Sequence, residues 1–376
     1  MRQDELARAL IGDVDTSAFG GEADSPLNQA AEQWRLLACQ AGTDVATLTR
    51  VDVDTKTGVL ALTLTTHGSR GARWWRYTGN GLVALDPASD PALPMASTLV
   101  RPSILSYRPG RRLVVSHAAE AVVEKGYRTA RFQAAAQRHQ LVVELAGNIP
   151  GLVLPRVREH RIGTASLLLE RVAGKPLLIG VESAPRYAAF GRALRVFQKT
   201  TSSALPERVA LDELRVLELW HERVALATGE SDVRWSQAFA LARQVAETLP
   251  ETEAVLAHCD LHDGQLLDQG DAVALLDFDQ LACADPALDP GNLSAHLHLR
   301  ALQRFPGTDV ATATASALAL RDGLGRDAEP GFARRLAFYH GACLLRLALV
   351  YRLRPRWYTL APELIEEGMR CLERPG

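Results

Sequence analysis

Two short segments, His258–Gln265 (His-Cys-Asp-Leu-His-Asp-Gly-Gln) and Leu275–Asp279 (Leu-Leu-Asp-Phe-Asp), constrain this chain more than any other stretch. Each segment adjoins a short apolar run, and a turn-forming stretch rich in Asp and Gly separates them. This pattern predicts two short strands joined as a hairpin. The hairpin brings one carboxylate (Asp260), one side-chain amide (Gln265) and a second carboxylate (Asp277) together at one of its ends.

These groups match the needs of phosphoryl transfer, which takes a base for the attacking hydroxyl and oxygen ligands for magnesium. A simpler interpretation is an acidic turn, since Asp263-Gly264 alone is an ordinary turn signal. The ordered string of His, Asp, an amide side chain, an apolar strand and a second Asp has far fewer structural explanations. We therefore favour a phosphoryl-transfer site and treat it as a hypothesis to be judged by structural context.

The two segments resemble the catalytic loop of the aminoglycoside phosphotransferase and choline kinase branch of the protein-kinase-like superfamily. That family carries His-x-Asp-x-x-x-x-Asn, followed by an Asp on the next strand. The resemblance implies that Asp260 is the catalytic base and that Asp277 is a magnesium ligand. Gln265 stands where the family has Asn, so it offers the metal a carbonyl oxygen one methylene further out. Asp279 lies on the same strand face as Asp277 and either binds a second ion or caps the next turn.

The resemblance also implies a set of nucleotide-binding residues earlier in the chain. Lys125 alternates with valines on a predicted strand and resembles the family's phosphate-binding lysine. Its expected partner is Glu144, the only acidic residue between Gly126 and Val157. Glu170 and Val172 lie in a segment that resembles the hinge pairing with adenine. Arg111 lies in a basic turn where the family covers the phosphates, although a solvated hairpin is an equal alternative there.

Composition excludes several other classes of protein. The 376 residues are 47% hydrophobic and 23% charged, which is ordinary for a globular chain, and the net charge of −2 gives no broad field for nucleic acid or an anionic membrane. No apolar run reaches the roughly 18 residues of a membrane span. The chain has five cysteines, Cys39, Cys259, Cys283, Cys343 and Cys371, and none of them forms a CxxC pair. This odd, scattered set argues against a disulfide framework and against a zinc site. It favours the cytoplasm as the compartment.

Hydrophobic periodicity predicts three segments. Residues 1–97 combine an amphipathic helix at 27–41 with an antiparallel meander and form an accessory, cap-like domain. Residues 98–175 form a small lobe of strands and one helix, and residues 176–376 form a helical lobe that contains the catalytic hairpin, 254–279. The predicted class is therefore α+β, a bilobal protein-kinase-like fold with an N-terminal α+β accessory domain.

The resulting functional hypothesis is an ATP- and Mg²⁺-dependent kinase that phosphorylates a hydroxyl of a small molecule. The acceptor is expected to be a sugar, an amino sugar or an aminoglycoside-like compound, because the first 97 residues are reminiscent of the cap of maltokinases and glucosamine kinases. The alternative is a catalytically impaired pseudokinase that binds nucleotide or a partner, which Gln265 in place of Asn would favour. No nucleic-acid or membrane partner is expected, and the oligomeric state is open.

Overall fold

The structure is a computed structural model that describes residues 48–54, 61–68, 71–77, 82–100, 103–229 and 232–374. The helix predicted at 27–41 lies outside the described residues. Contacts between Cα atoms divide the chain into two compact units.

The first unit contains the described residues up to Asp86 together with Glu213–Leu241 and Leu345–Met369. Its sheet is the predicted antiparallel meander, with the strands in chain order: β1 (Leu48–Asp54), β2 (Ala61–Gly68), β3 (Gly71–Tyr77) and β4 (Leu82–Leu85). The apolar residues of the paired strands β1 and β2 are buried in the core of this unit: Leu48, Val51, Val53, Leu62 and Leu64.

The second unit begins with a five-stranded antiparallel sheet in the order β5-β6-β7-β10-β9. The chain between its strands carries one long helix and a short strand that pairs elsewhere: β5 (Ser103–Arg108), β6 (Arg112–His117), β7 (Val122–Tyr127), α1 (Thr129–Ala146), β8 (Leu152–Val153), β9 (Val157–Arg161) and β10 (Ser166–Glu170). Helix α1 buries one stripe at helical spacing, formed by Phe132, Ala135, Ala136, His139, Val142 and Ala146.

The chain after the five-stranded sheet is mainly helical. Its elements are β11 (Lys175–Pro176), α2 (Ala184–Phe197), β12 (Glu207–Arg208), α3 (Ala210–Thr228), α4 (Arg234–Glu247), β13 (Val255–Ala257), β14 (Leu266–Asp268), β15 (Val273–Leu275), β16 (Ala282–Ala284), α5 (Leu288–Leu302), α6 (Val310–Leu324), α7 (Phe332–Arg352) and α8 (Ala361–Glu373). None of the described helices is both long enough and apolar enough to cross a membrane.

The predicted hairpin is formed by β14 and β15, which pair antiparallel with Leu266 opposite Leu275. Its apolar side chains belong to a core that also takes fully buried aromatic rings from α2 and from the segment after β15: Tyr187, Phe190, Phe197 and Phe278. A small antiparallel-sheet lobe followed by a helical lobe with this hairpin confirms the predicted fold class.

The compact units divide the chain differently from the three predicted segments, because residues 213–241 and 345–369 group with the first 86. Periodicity identifies a helix but carries no information about which neighbour its apolar face contacts. The segment boundaries at residues 97 and 175 therefore stay a prediction.

Helices α2 and α6 approach each other through two glycines. A Cβ atom on Gly323 of α6 would overlap the backbone carbonyl oxygen of Ala188, and one on Gly191 of α2 would overlap that of Leu320. The backbones themselves are therefore in contact at this crossing, which leaves no room for a side chain.

We expect Gly323→Ala to lower the free energy of unfolding by about 1–3 kcal/mol, because an overpacked contact with backbone cannot relax by rotating a side chain. Denaturant unfolding measures this change. Gly163→Ala is the matched control, since an added Cβ there meets nothing within 4 Å. Equal stabilities of the two variants would show that the helices do not meet in this way.

Candidate active site

The loop that carries Asp260 is fixed by hydrogen bonds to its backbone. Asp289, at the start of α5, is fully buried and accepts from the N–H groups of His258 at 2.7 Å and Cys259 at 2.8 Å. His258 Nε2 donates to the Leu276 carbonyl at 2.8 Å, so its Nδ1 is the acceptor for the Asp260 N–H at 3.3 Å. One imidazole thus ties the loop to the end of strand β15.

Both motif segments contain a residue in the left-handed backbone region, Cys259 with φ 62° and Asp277 with φ 69°. This conformation is uncommon outside glycine because Cβ crowds the following carbonyl. The bonds from Asp289 hold the first of these turns in place. Burial raises the pKa of Asp289, and the two N–H donors and the nearby His258 act in the opposite direction.

A cluster of ion pairs joins the hairpin to the five-stranded sheet. Lys125 Nζ on β7 donates to Asp277 Oδ1 and to Asp279 Oδ1, at 2.7 Å in each case. Arg112 Nη1, at the start of β6, donates to Asp277 Oδ2 at 3.1 Å and to Asp279 Oδ2 at 2.8 Å. Two carboxylates from the hairpin therefore share two cations from the sheet.

Asp279 has more donors than Asp277. Besides Lys125 and Arg112, its carboxylate accepts from the Tyr127 hydroxyl at 2.8 Å and faces His139 Nε2 at 3.3 Å. The Asp279 oxygens thus contact neighbouring side chains instead of capping the next turn, and its role as a ligand of a second ion stays a prediction.

The cluster keeps both carboxylates ionised. Burial acts to raise the pKa of Asp277 and of Asp279, but the charges of Lys125 and Arg112 outweigh it and hold both pKa values well below the usual range. Burial lowers the pKa of His139, so the imidazole is neutral. An ionised carboxylate can only accept a hydrogen bond. His139 Nε2 therefore carries the ring proton and donates a hydrogen bond to Asp279.

The expected pair between Lys125 and Glu144 does not form. Glu144 is exposed on α1 and accepts from Gln140, one turn earlier on the same helix. The buried stripe of α1 places His139 next to the ion cluster instead. The physical reason is helical phase, since Glu144 lies outside the stripe that faces the sheet.

The cluster lines a cavity of about 940 Å³ inside the second unit. Eight of the nine predicted site residues line this cavity: Asp260, Lys125, Glu170, Val172, Arg111, Gln265, Asp277 and Asp279. Only Glu144 is left out. The volume lies within the range of ordinary small-molecule sites, roughly 300–1,000 Å³.

Three residues of the cluster were missed in the sequence: Arg112, Tyr127 and His139. Tyr127 follows Lys125 by two positions on β7, so strand alternation places both on one face. Arg112 lies directly opposite Tyr127 in the pairing of β6 with β7. His139 could have been found from the apolar stripe of α1, because its position in that stripe predicts that its side chain is buried.

A second polar group adjoins the Asp260 loop. The rings of His262 and His296 stack at 5.0 Å, and Asp263 Oδ2 accepts from Arg300 Nε at 2.8 Å. The ligand atoms of His262, Asp263 and His296 are close enough for one metal ion. However, His262 Nδ1 accepts from the Gly264 N–H, so Nε2 of the neutral ring carries the proton and has no lone pair for a cation. Hydrogen bonding is the better description of this group.

The oxygen donors near the hairpin suit a magnesium ion. Gln265 is 5% exposed, and its Oε1 atom is buried with no hydrogen-bond partner in the described part of the chain. The Leu276 N–H donates to the backbone carbonyl of Gln265 at 3.0 Å, so Gln265 lies beside the residue before Asp277. A hard cation prefers such carboxylate and amide oxygens.

We expect Asp289→Ala to destabilise the chain by roughly 1–3 kcal/mol for each buried N–H that it leaves unsatisfied. Denaturant unfolding measures the change. Asp271→Ala is the control, because Asp271 is exposed in the same hairpin. If the two variants are equally stable, Asp289 does not brace the loop.

Two solved structures resemble the chain in fold. A choline/ethanolamine kinase family protein from Mesorhizobium loti aligns over 77% of this chain and 94% of its own, with 17% identity and a TM-score of 0.50. Amicoumacin kinase hAmiN, solved with AMP-PNP, Ca²⁺ and Ami, aligns over 71% of this chain and 88% of its own, with 11% identity and a TM-score of 0.52. A search of curated protein sequences finds no significant match.

The sequence profile of the phosphotransferase enzyme family matches residues 104–338, which is more than half of the chain. The match spans the five-stranded sheet, the ion cluster and the hairpin. It confirms the resemblance drawn from the two motif segments. The chain belongs to the phosphotransferase enzyme family and is a small-molecule phosphotransferase.

Proposed function

We propose that the chain transfers the γ-phosphate of ATP, with Mg²⁺, to a hydroxyl of a small molecule. The observation that carries the proposal is that Asp260, Lys125 and Asp277 line one cavity. A base, a phosphate-binding cation and a metal-binding carboxylate are the parts that phosphoryl transfer needs within reach of one triphosphate.

The hinge after β10 suits an adenine ring. The N–H of Glu170 donates to the Arg156 carbonyl at 2.8 Å, and that of Arg171 donates to the Ala121 carbonyl at 2.9 Å. The N–H of Val172 has no such acceptor within the described residues, and Val172 lines the cavity. We assign Glu170 and Val172 to the adenine side on this basis.

The lining of the cavity is strongly basic. Besides Lys125 it includes six arginines, namely Arg108, Arg111, Arg112, Arg131, Arg138 and Arg171. Guanidinium groups pair with phosphate oxygens through charge-assisted hydrogen bonds. A triphosphate carries enough negative charge to use several of these cations.

Asp277 and Gln265 would hold the magnesium ion, which suits their oxygen atoms and the orphaned Oε1 of Gln265. The bound ion would neutralise charge on the phosphate oxygens during transfer. The amicoumacin kinase with a similar fold was solved with AMP-PNP and Ca²⁺, which supports a nucleotide and a divalent cation here.

Asp260 would position the acceptor hydroxyl and take its proton. The acceptor oxygen forms a bond to the γ-phosphorus while the bond from that phosphorus to the β–γ bridging oxygen breaks, which releases ADP. Holding the hydroxyl in line accounts for most of the effect, because the transition state is loose and needs little basicity. The hydrogen bonds made by Asp289 and His258 fix the loop that carries this carboxylate next to the hairpin.

We propose a sugar, an amino sugar or an aminoglycoside-like compound as the acceptor. His262, two residues after Asp260, lines the same cavity and carries its proton on Nε2, so it can donate to a hydroxyl oxygen. The resemblance of the first 97 residues to the cap of sugar kinases favours a sugar among these classes.

We expect Asp260→Asn to lower kcat by about 10²–10⁴-fold while the Kd for Mg·ATP stays within about threefold, because the base acts on the acceptor and not on the nucleotide. Transfer of labelled γ-phosphate to a panel of sugars and amino sugars measures kcat, and calorimetry measures Kd. Asp271→Asn, the same change at an exposed position of the hairpin, serves as the control.

A pseudokinase would give a different result in the same assays. Nucleotide would bind, no acceptor in the panel would be labelled, and Asp260→Asn would change nothing. That outcome would overturn the proposed transfer and leave only the binding function.

We also expect Gln265→Asn to lower the Mg²⁺ concentration that gives half-maximal activity, since the shorter amide is the family's residue at this position, and Gln265→Leu to raise it by about tenfold or more. Chelation with EDTA should abolish activity, and added Mg²⁺ should restore it. Activity that is insensitive to EDTA and to both substitutions would exclude a metal role for Gln265.

A further inference from the structure

Helix α1 supplies no carboxylate to Lys125. Glu144 is the only acidic residue in this helix, and it is exposed and bonded to Gln140. Lys125 is nevertheless buried, with 6% of its side chain exposed, and a buried ammonium requires a fixed counter-charge. The counter-charge must therefore come from another element.

Asp279 is placed to supply it. Its Oδ1 atom accepts from Lys125 Nζ at 2.7 Å and from the Tyr127 hydroxyl at 2.8 Å, and it faces His139 Nε2 at 3.3 Å. Arg112 contacts the other oxygen, Oδ2, at 2.8 Å. With three donors on one oxygen and a guanidinium on the other, little of this carboxylate remains for a metal ion.

Asp277 differs in this respect. Within the described part of the chain its side chain bonds only to Lys125 and Arg112, and it is 25% exposed against 18% for Asp279. The two acids of the hairpin therefore differ in role. Asp277 is the one that stays available to a metal ion, and Asp279 is the one engaged by Lys125 and its neighbours.

We propose that Asp279, held by His139 and Tyr127, is the carboxylate that positions Lys125 for the nucleotide phosphates, in place of an acid on helix α1. His139 is a positioning residue, which acts by donating from the buried stripe of the helix to Asp279. This inference rests on the proposed function, because it concerns the lysine that would contact the nucleotide.

A charge-swap experiment tests the assignment. Asp279→Asn removes one of the two carboxylates bonded to Lys125, and we expect it to raise the Kd for Mg·ATP by about tenfold, since only Asp277, which the metal ion would also engage, then remains to fix the ammonium. His139→Glu alone sets two carboxylates against each other, so nucleotide binding and the thermal midpoint should both fall. In the double variant the helix supplies the only acid at this position, and we expect Kd to return to within about threefold of wild type.

The controls separate charge from shape. His139→Gln combined with Asp279→Asn has no acid at either place and should not recover binding. Glu144→Gln should leave Kd, kcat and stability unchanged. Calorimetric titration with Mg·ATP gives Kd directly, without turnover, and thermal melting reports whether each variant folds.

Tyr127→Phe provides a test that does not depend on a charged substitution in the core. It removes one hydroxyl contact with Asp279, and we expect the KM for ATP to rise about threefold with kcat within about twofold. A purely structural hydroxyl would change the thermal midpoint and leave KM as in wild type.

The inference is overturned if Asp279→Asn binds nucleotide as wild type does, if the double variant with His139→Glu binds no better than the one with His139→Gln, or if Tyr127→Phe leaves KM unchanged. Failure of the proposed function looks different, because the wild-type chain would then label no acceptor in the panel, or would not bind Mg·ATP at all.

Discussion

Two carboxylates that lie close together at the end of one hairpin require compensating charge, and this requirement organises the cavity. Asp277 and Asp279 are mostly buried, and burial alone would raise the pKa values of both. Lys125 and Arg112 bring the compensation from the five-stranded sheet. The sheet and the hairpin are thus held face to face by four ion pairs, and the cavity lies where they meet.

The second constraint is the placement of Asp260 relative to that cluster. Asp289 binds two consecutive N–H groups of the loop, and His258 bonds both to the loop and to Leu276, the residue before Asp277. The distance from Asp260 to Asp277 is therefore set largely by hydrogen bonds of the backbone, which vary little. Preorganised geometry of this kind is what lets an enzyme act by positioning.

The sequence predicted those parts of the site that are encoded locally. The spacing from His258 to Asp277 predicts a hairpin from local sequence alone, and the one helix predicted in the small lobe is observed at Thr129–Ala146. The partner of Lys125 depends on helical phase and on packing between elements. Glu144 was expected as the partner because it is the only acid in that stretch, and only the packing of α1 shows that Glu144 lies outside the buried stripe and that His139 reaches the hairpin in its place.

Arg112 illustrates the same limit. Its neighbour Arg111 was expected at the phosphates, and both line the cavity, yet strand register decides which one reaches the hairpin. A shift of one residue reverses the face of every side chain on a strand, so turn composition alone cannot distinguish the two. The grouping of residues 213–241 and 345–369 with the first 86 likewise depends on tertiary contacts that leave no local signal.

The central claim is that the ion cluster and the Asp260 loop enclose one nucleotide site. A crystal structure of the chain with Mg²⁺ and a non-hydrolysable ATP analogue tests it most directly. The account predicts phosphate oxygens in contact with Lys125 and Arg112 and the adenine ring beside Val172. An analogue bound elsewhere on the surface, or a cavity without nucleotide at saturating concentration, would contradict it.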